Sequence, residues 1–561
     1  MNDAPRAPSV VAAAVTVLAI VAFGAWSAAA VTAEGLTGPL RSSLNVFFDL
    51  FAGNEPAPLA VLGAFALAAL ALALRPGAAT ATDVARTTGV PLAASWPALT
   101  PRRSWLLACV VALVALAGQR WVMHGFALSM DEFNTGFEAA ILATGRVFAP
   151  IRDEWIAFVP AVKPVFVVWR GDDHSWYSGY VPVYAALRAA LRVAHLELWL
   201  NPLCAGVSVV LAASIARRLR PADDRAPLIA ALALVASAQF LVTSATQYTM
   251  PAHLAANLLW LWLALRDDKA SWVGAALLGG LALGLHNPFP HALFVVPFLW
   301  RWLRRREYAR LALTLVVYAL FAALWLAWLR MERSGAPGGG GMLSLFTVPR
   351  LENWRLNGMN LVLMLSWQAP IVALLLPLAF IGERVLVDAE RDLARGVLLT
   401  FLFYVLYGNT QGHGWGYRYV YGVLGSVALL AVPAMQMLAG RLGERRAARL
   451  FGAGCAVSLA ALAPLRMFQA ERFVRPFAAA SAHLAAMDAD VVAVETAEVW
   501  YGRDLVRNDP WLSRPVIVNG SLLNGLGWAA LHEKYGDRLK LMRADELVAL
   551  GMQRVSPRAM P

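Results

Sequence analysis

Asp131 and Glu132 stand side by side in Ser129-Met130-Asp131-Glu132, directly before FNTGFEAAILATG, in a chain of 561 residues. Phe133, Phe137 and Ile141 recur at four-residue spacing, so a helix is expected to start near Asp131 and to pack one face on membrane or protein. Asp131 then serves either as a helix N-cap, with Glu132 in a favourable first turn, or as a reactive carboxylate. The two readings use the same physics. A helix N-terminus holds a carboxylate ionised, as a general base must be at neutral pH.

Further polar groups recur near the ends of apolar runs. Asp172-Asp173-His174 precede a stretch that opens with Tyr177, Tyr180 and Tyr184. Gln247-Tyr248 and His253 lie at the end of a helix pair, His286-Asn287-Pro288-Phe289-Pro290-His291 forms a tight turn, and GHGWGYRY (412–419) supplies His413, Tyr417 and Arg418. A lone histidine is most often structural, and two prolines alone account for the HNPFPH turn. Yet His286, His291, His413 and Arg418 all fall on one expected side of the membrane, in turns otherwise poor in basic residues. Asp172-Asp173-His174 has the residue types of a metal site, but adjacent carboxylates are commonly just solvated, and no metal is expected. The glycine run at 338–341 follows no strand and opens no helix, so it reads as a flexible loop rather than a phosphate cradle. No GxGxxG, P-loop, HExxH or GxSxG context occurs. Asn519-Gly520-Ser521 fits a glycosylation sequon, but the Ala/Arg/Leu-rich composition points to a bacterium, where that motif carries no weight.

The elements that must position these groups follow from composition. The chain is 59% hydrophobic and 15% charged, with a mean hydropathy of +0.57. Soluble proteins carry about 25% charged residues, so a soluble domain or a string of them is excluded. The 21 Trp, 24 Phe and 13 Tyr exclude disorder. An α-helical polytopic membrane protein remains. Thirteen spans are expected near 9–31, 57–74, 104–123, 199–219, 226–243, 249–265, 272–287, 290–303, 309–329, 369–387, 396–409, 419–438 and 449–465. The first has only Arg6 before it and too long an apolar run for a cleaved signal peptide. Cys109, Cys204 and Cys455 lie far apart inside apolar runs, so neither a disulfide framework nor a cysteine metal site is read.

The segment 180–197 has helical periodicity but carries Arg188, Arg192 and His195, so it is expected to lie flat on the surface. With that segment flat and the N-terminus inside, the cytoplasmic pieces hold 23 Lys/Arg against 12 Asp/Glu and the outer pieces 25 against 24. A spanning 180–197 would turn Arg217-Arg218-Leu219-Arg220, Arg304-Arg305-Arg306 and Arg445-Arg446 outward, which the positive-inside rule rejects. The net charge of +12 is therefore a topology signal, and no nucleic-acid partner is expected. The outer pieces are a long loop at 124–198, a medium one at 330–368, a short one at 410–418, and a tail after 465. That tail pairs strand-like DVVAVETAEVWY (490–501) and RPVIVNGSLL (514–523) with helical LGWAALHEKYG (526–536), and is expected to form a small α/β domain outside the membrane. Three units are thus expected: two additional helices with a cytoplasmic linker (1–103), a spanning module (104–465) and the outer domain (466–561). No internal repeat is evident, which weighs against transporters built from two related halves.

The order of motifs resembles the type-C superfamily of integral-membrane glycosyltransferases, in the group of the protein O-mannosyltransferases and the lipid A aminoarabinose transferase. MDEFNTGFEAAILATGRVFAP (130–150) is similar to the acidic pair and amphipathic helix opening the first large outer loop of that family. WYSGYVPVYAALRAAL (176–191) resembles its interfacial helix, and SVVLAASIARRLRP (208–221) its second module helix. GLALGLHNPFPHALFVVPFL (280–299) resembles its glycine-rich helix with the phosphate-side turn, and GYRYVYGVLGSVALLAVPAM (416–435) its late arginine-bearing helix. Several relatives place a lysine where His286 and His291 stand here, and a basic residue where Asn134 stands. The resemblance covers roughly 104–440 and implies an inverting transfer of a sugar from a polyprenyl-phosphate donor to a glycan, lipid or protein acceptor outside the bilayer. It implies Asp131 and Glu132 as catalytic carboxylates, Arg418, His286 and His291 at the donor phosphate, and no cofactor. Asp173, His174, Tyr177, Tyr180, Tyr248, His413 and Tyr417 are the accompanying substrate-binding candidates. The expected location is a bacterial inner membrane, with the tail extracytoplasmic. A transporter or flippase of a lipid-linked glycan, and a non-catalytic scaffold binding through the tail, are the rival classes. Transporters bury polar groups at mid-membrane, whereas charge gathered at the outer interface favours the enzyme.

Overall fold

The computed structural model describes residues 10–38, 42–74, 97–333, 346–408 and 410–555, so the 338–341 glycine run lies outside the described residues. Seven helices are long and apolar enough to cross a membrane: Val10–Ala33, Pro56–Leu74, Pro101–Trp121, Glu197–Leu219, Tyr308–Arg330, Arg418–Leu442 and Glu444–Ala486. Two further apolar helix pairs are each bent at a short break, Ala226–Val235 with Ala238–Ser244 by 62° and Leu351–Ser366 with Pro370–Ile381 by 119°, and each counts as one span or as a re-entrant pair. The four other expected spans fall on helices of 15, 14, 16 and 18 residues, Met250–Ala264, Lys269–Ala282, Phe289–Arg304 and Asp388–Val405. The chain is therefore an α-helical polytopic membrane protein, with 7 to 9 spans by length and composition among the described residues. Backbone breaks are tolerated because side chains and neighbouring elements re-satisfy the freed groups. At the 62° bend Ser237 caps the second helix through Phe240 N, and Ser458 Oγ donates to the Ala236 carbonyl.

At one end of the bundle, arginines are tied to carboxylates between helix ends: Arg220 to Glu390, Arg225 to Glu444, and Arg301 to Asp392 at 2.8 Å. The opposite end carries two small sheets. Strands β1 (Ala149–Pro150), β2 (Val167–Arg170) and β3 (Ser175–Ser178) form an antiparallel sheet in the order β1-β3-β2. Strands β4 (Val491–Val494), β5 (Val516–Asn519) and β6 (Leu539–Met542) form a parallel sheet in the order β5-β4-β6. The helix Gly525–Tyr535, capped by Asn524, matches the expected 526–536 segment, while β6 and the Ala544–Ala549 helix carried no sequence signal.

One expectation needs correction. The last long helix does not stop near 465 but continues through a π-helical turn, Ser458–Leu462, to Ala486. The tail forms the expected small α/β part and also packs on the first loop. Phe137, Ile141, Trp155 and Trp176 of the first loop share one hydrophobic cluster with Val491, Val516, Val518 and Leu531 of the tail. Trp176 Nε1 donates to Pro510 O at 2.9 Å, and Asn508 Nδ2 to Val162 O at 2.7 Å. One face of the β5-β4-β6 sheet thus packs on the first loop, while Leu484, Val492, Val494, Ile517 and Leu547 form a second core within the tail. The segment expected to lie flat is the helix Val183–Val193, whose 11 residues are too short to span.

Candidate active site

The acidic pair is set by a capping box. Ser129 Oγ accepts from Asp131 N at 3.1 Å, and Ser129 N donates to Glu132 Oε2 at 3.0 Å, so the helix Met130–Leu142 is capped by Ser129 and not by Asp131. The other Glu132 oxygen accepts from Gln247 N at 2.7 Å. Burial pushes this carboxyl up to about 7, against the Ser129 and Gln247 amides that favour its charged form. With both oxygens engaged, Glu132 binds the helix start to the 244–250 turn. Asn134 likewise turns inward, donating to Met130 O at 2.7 Å and Val165 O at 2.8 Å.

Asp131 is left free of capping. Its carboxylate accepts from Tyr180 OH at 2.5 Å and pairs with Arg418 Nη2 at 3.1 Å, with a fifth of the side chain exposed. Burial would raise this carboxyl, but Arg418, followed by His286, Tyr180 and His413, outweighs it and holds the group below 3.8. Arg418 is fixed on several sides. Nη1 donates to Tyr248 OH at 2.9 Å, its backbone N donates to Gln411 Oε1, and the guanidinium lies over the Tyr248 and Tyr419 rings. Tyr248 OH in turn lies 2.7 Å from His413 Nε2. Burial, then Arg418, pushes His413 down to about 3, so its ring is neutral. The His286 ring packs on Tyr180 with centroids 4.7 Å apart. Two donor-capable atoms of this cluster, His286 Nδ1 and Arg418 Nε, have no hydrogen-bond partner.

Six of the sequence candidates thus meet within one cluster: Asp131, Tyr180, Tyr248, His286, His413 and Arg418. Glu132 braces it from beneath. The others do not join it. His291 is buried between helices, with Nδ1 2.8 Å from Asn257 Oδ1 and Nε2 2.7 Å from Tyr318 OH. Tyr417 is buried near Asn357, and Tyr177 packs on Phe148 within the β3 strand. Asp173 pairs with Arg170 at the tip of the β2–β3 hairpin, where His174 stacks on Trp169. Among the described residues no group of three His, Cys, Asp or Glu is placed to hold a metal.

Three positioning residues carried little sequence signal. Arg188, which marks 180–197 as interfacial, is itself buried. It donates to Glu132 O, Thr135 Oγ1, Gln247 Oε1 and Glu197 and locks the flat helix onto the acid-pair helix. Gly136 permits this approach, because a Cβ there would lie 2.9 Å from Arg188 Nη2. Gln411 sits beside a recognisable motif, but nothing in its type marks it. Arg507 comes from the tail, donates to the Ala127 and Leu128 carbonyls just before the acidic pair, and packs over Phe126 at 4.1 Å.

The chain, with its carboxylate–arginine pair ringed by tyrosines at one end of an apolar bundle, shares its fold with solved structures of an integral-membrane protein. A crystal structure of ArnT from Cupriavidus metallidurans in the apo state aligns with a TM-score of 0.51 over 79% of this chain and 90% of that one, at 12% identity. A second structure of that protein, bound to undecaprenyl phosphate, aligns with a TM-score of 0.48 at 15% identity over 79% and 90% of the two chains. No family model matches the chain, and no curated protein matches it.

Proposed function

We propose that the chain is an inverting glycosyltransferase that moves a sugar from a polyprenyl-phosphate donor to an acceptor hydroxyl outside the bilayer. The observation that carries this reading is the Asp131–Arg418 pair, with two buried, unpartnered nitrogens, His286 Nδ1 and Arg418 Nε, beside it. The acceptor oxygen attacks the anomeric carbon as the bond from that carbon to the phosphate oxygen breaks. Asp131 takes the acceptor proton, and the electron pair leaves with the polyprenyl phosphate. Arg418 and the neutral His286 ring offer donors to the charge that develops on phosphate oxygens, where fixed donors act most strongly. The donor phosphate competes with Asp131 for Arg418, so donor binding frees the base. An end-of-bundle site suits such a donor, since its isoprenoid tail stays in lipid while its phosphate sits at the surface.

Transport is the weaker reading. Buried Glu55, Glu132, Arg310, Glu390 and Asp392 lie near helix ends, Glu138 and Arg188 belong to the outer loop, and Arg466 pairs with Glu55, which favours no charged path through the bundle. Purified protein given a panel of labelled polyprenyl-phosphate sugars is expected to release polyprenyl phosphate from at least one donor. Retention of every donor intact, with and without added membrane glycolipids, would sink the reading.

The arginine-tied end is proposed to face the cytoplasm and the α/β cap the extracytoplasmic side of a bacterial inner membrane, as the charge partition supports. In a chain whose native cysteines are replaced, Arg305→Cys is expected to react with an impermeant maleimide only after permeabilisation. Labelling in intact cells would reverse the topology.

A further inference from the structure

Parallel α/β sheets bind ligands at the carboxyl ends of their strands, and the small sheet of the cap has an open cleft there. Residues following β4 and β5 line a cavity of about 490 Å³, among them Thr496, Tyr501, Arg503, Asp504, Asn519 and Ser521. Its floor is a prearranged polar network. Thr496 Oγ1 donates to Asn519 Oδ1 at 2.7 Å, Ser521 N donates to the same oxygen at 3.1 Å, and Ala497 N donates to Ser521 Oγ at 3.1 Å. Every hydrogen bond recorded for the Asn519 amide uses Oδ1, which leaves Nδ2 for a ligand. Tyr501, at the rim, holds a left-handed backbone conformation with φ of 54°. A bulky residue there is strained, and such strain collects at ligand clamps. Gly502 next to it packs against the Thr496 carbonyl, where a Cβ would come within 2.5 Å.

The cleft is coupled to the acidic pair through Arg507. Arg507 Nε donates to Asp504 O at 2.8 Å, and Nη2 of the same side chain donates to Leu128 O at 2.7 Å, three residues before Asp131. Burial raises the Asp504 carboxyl to about 6; Arg507 lowers it and Asp131 raises it, so the rim of the cleft lies within the field of the base. The chemistry of the lining selects the ligand. One arginine opposed by one aspartate does not make an anion site, and amide, hydroxyl and carboxyl groups beside a tyrosine ring suit a neutral ligand rich in hydroxyls.

The geometry points to this cleft as a saccharide-binding subsite that holds the acceptor; the acceptor role rests on the transferase reading above. The Asn519-Gly520-Ser521 sequon is thereby explained as binding-site chemistry, since Asn519 is buried with its oxygen engaged. The subsite also gives a reason for the cap to share a core with the loop that carries the base, because a floating cap would not hold acceptor and carboxylate in register.

Full-length protein in lipid nanodiscs, with no donor added, is titrated with methyl glycosides of hexoses, pentoses and N-acetylhexosamines and their di- to tetrasaccharides, followed by saturation-transfer NMR. At least one is expected to bind. Asn519→Ala should weaken it about tenfold, the loss of one or two buried hydrogen bonds. Leu522→Trp, at an exposed position on the mouth of the cleft, should block it while leaving the thermal melt unchanged. Absence of binding by the whole panel, or wild-type binding by Leu522→Trp, overturns the subsite. Saccharide binding in a protein that cleaves no polyprenyl-phosphate sugar would keep the subsite and remove only its acceptor role.

Discussion

Asp131→Asn is expected to lower turnover by about 10²–10⁴-fold, the usual cost of removing a general base, while leaving membrane insertion and folding intact. The second half of that statement follows from the capping box. Ser129 and Glu132 satisfy the helix start, so the Asp131 carboxylate is not needed to hold the helix. Asparagine keeps the size and can still accept from Tyr180, but it cannot take a proton. Near wild-type turnover in this variant would remove Asp131 as the base. The pH profile supplies a second readout. The ionised carboxylate is the active form, so activity is present above its pKa and lost as pH falls through it. In the free enzyme burial raises that pKa, but Arg418, His286, Tyr180 and His413 together outweigh it and hold it below 3.8, which places the acid limb of kcat/KM below about pH 4. Donor phosphate draws Arg418 away and removes the largest lowering influence, so the acid limb of kcat is expected at higher pH. Coincident limbs would show that the pair is not parted by donor.

Arg418→Lys should cost about 10²–10³-fold in kcat, the range seen when a fixed donor to a developing oxyanion is lost. A planar guanidinium can hold two phosphate oxygens at once, whereas an ammonium acts as a point charge. Here the guanidinium is already divided between Asp131 and Tyr248 and lies over two tyrosine rings, which fixes its plane before donor arrives. Lysine cannot reproduce that three-way placement. If Arg418 merely anchors its helix at the interface, as arginines near helix ends often do, lysine is tolerated. Wild-type kinetics in Arg418→Lys, with normal insertion, would therefore take the residue out of the site. His286 contributes through a neutral ring, because burial lowers its pKa from the usual 6.5 and Arg418 adds to that effect, while Asp131 opposes it. Its share of the phosphate contact should therefore persist at high pH.

The sequence by itself determined the class of the molecule and the positions of most of its apolar helices. Hydropathy and periodicity are local properties, and a bilayer forces each apolar run to satisfy its own backbone as a helix. The short Val183–Val193 helix was legible for a related reason, since three basic groups in one short segment do not suit a span. What tertiary structure alone decided was which polar groups meet. Asp131 and Arg418 lie 287 positions apart along the chain, and nothing in either neighbourhood reveals their pairing. His286 and His291 occupy one six-residue turn, yet one ring stacks on Tyr180 beside the base and the other is sealed between helices by Asn257 and Tyr318. The capping of the acid pair was half legible. Ser129 and Glu132 have the spacing of a capping box, but only the fold shows that this frees Asp131. Arg507 and the shared core of loop and tail were not legible at all. Packing between distant segments leaves no periodic mark when each buries only a few short strands, and the association is decided by which apolar faces are left uncovered once the helices have formed.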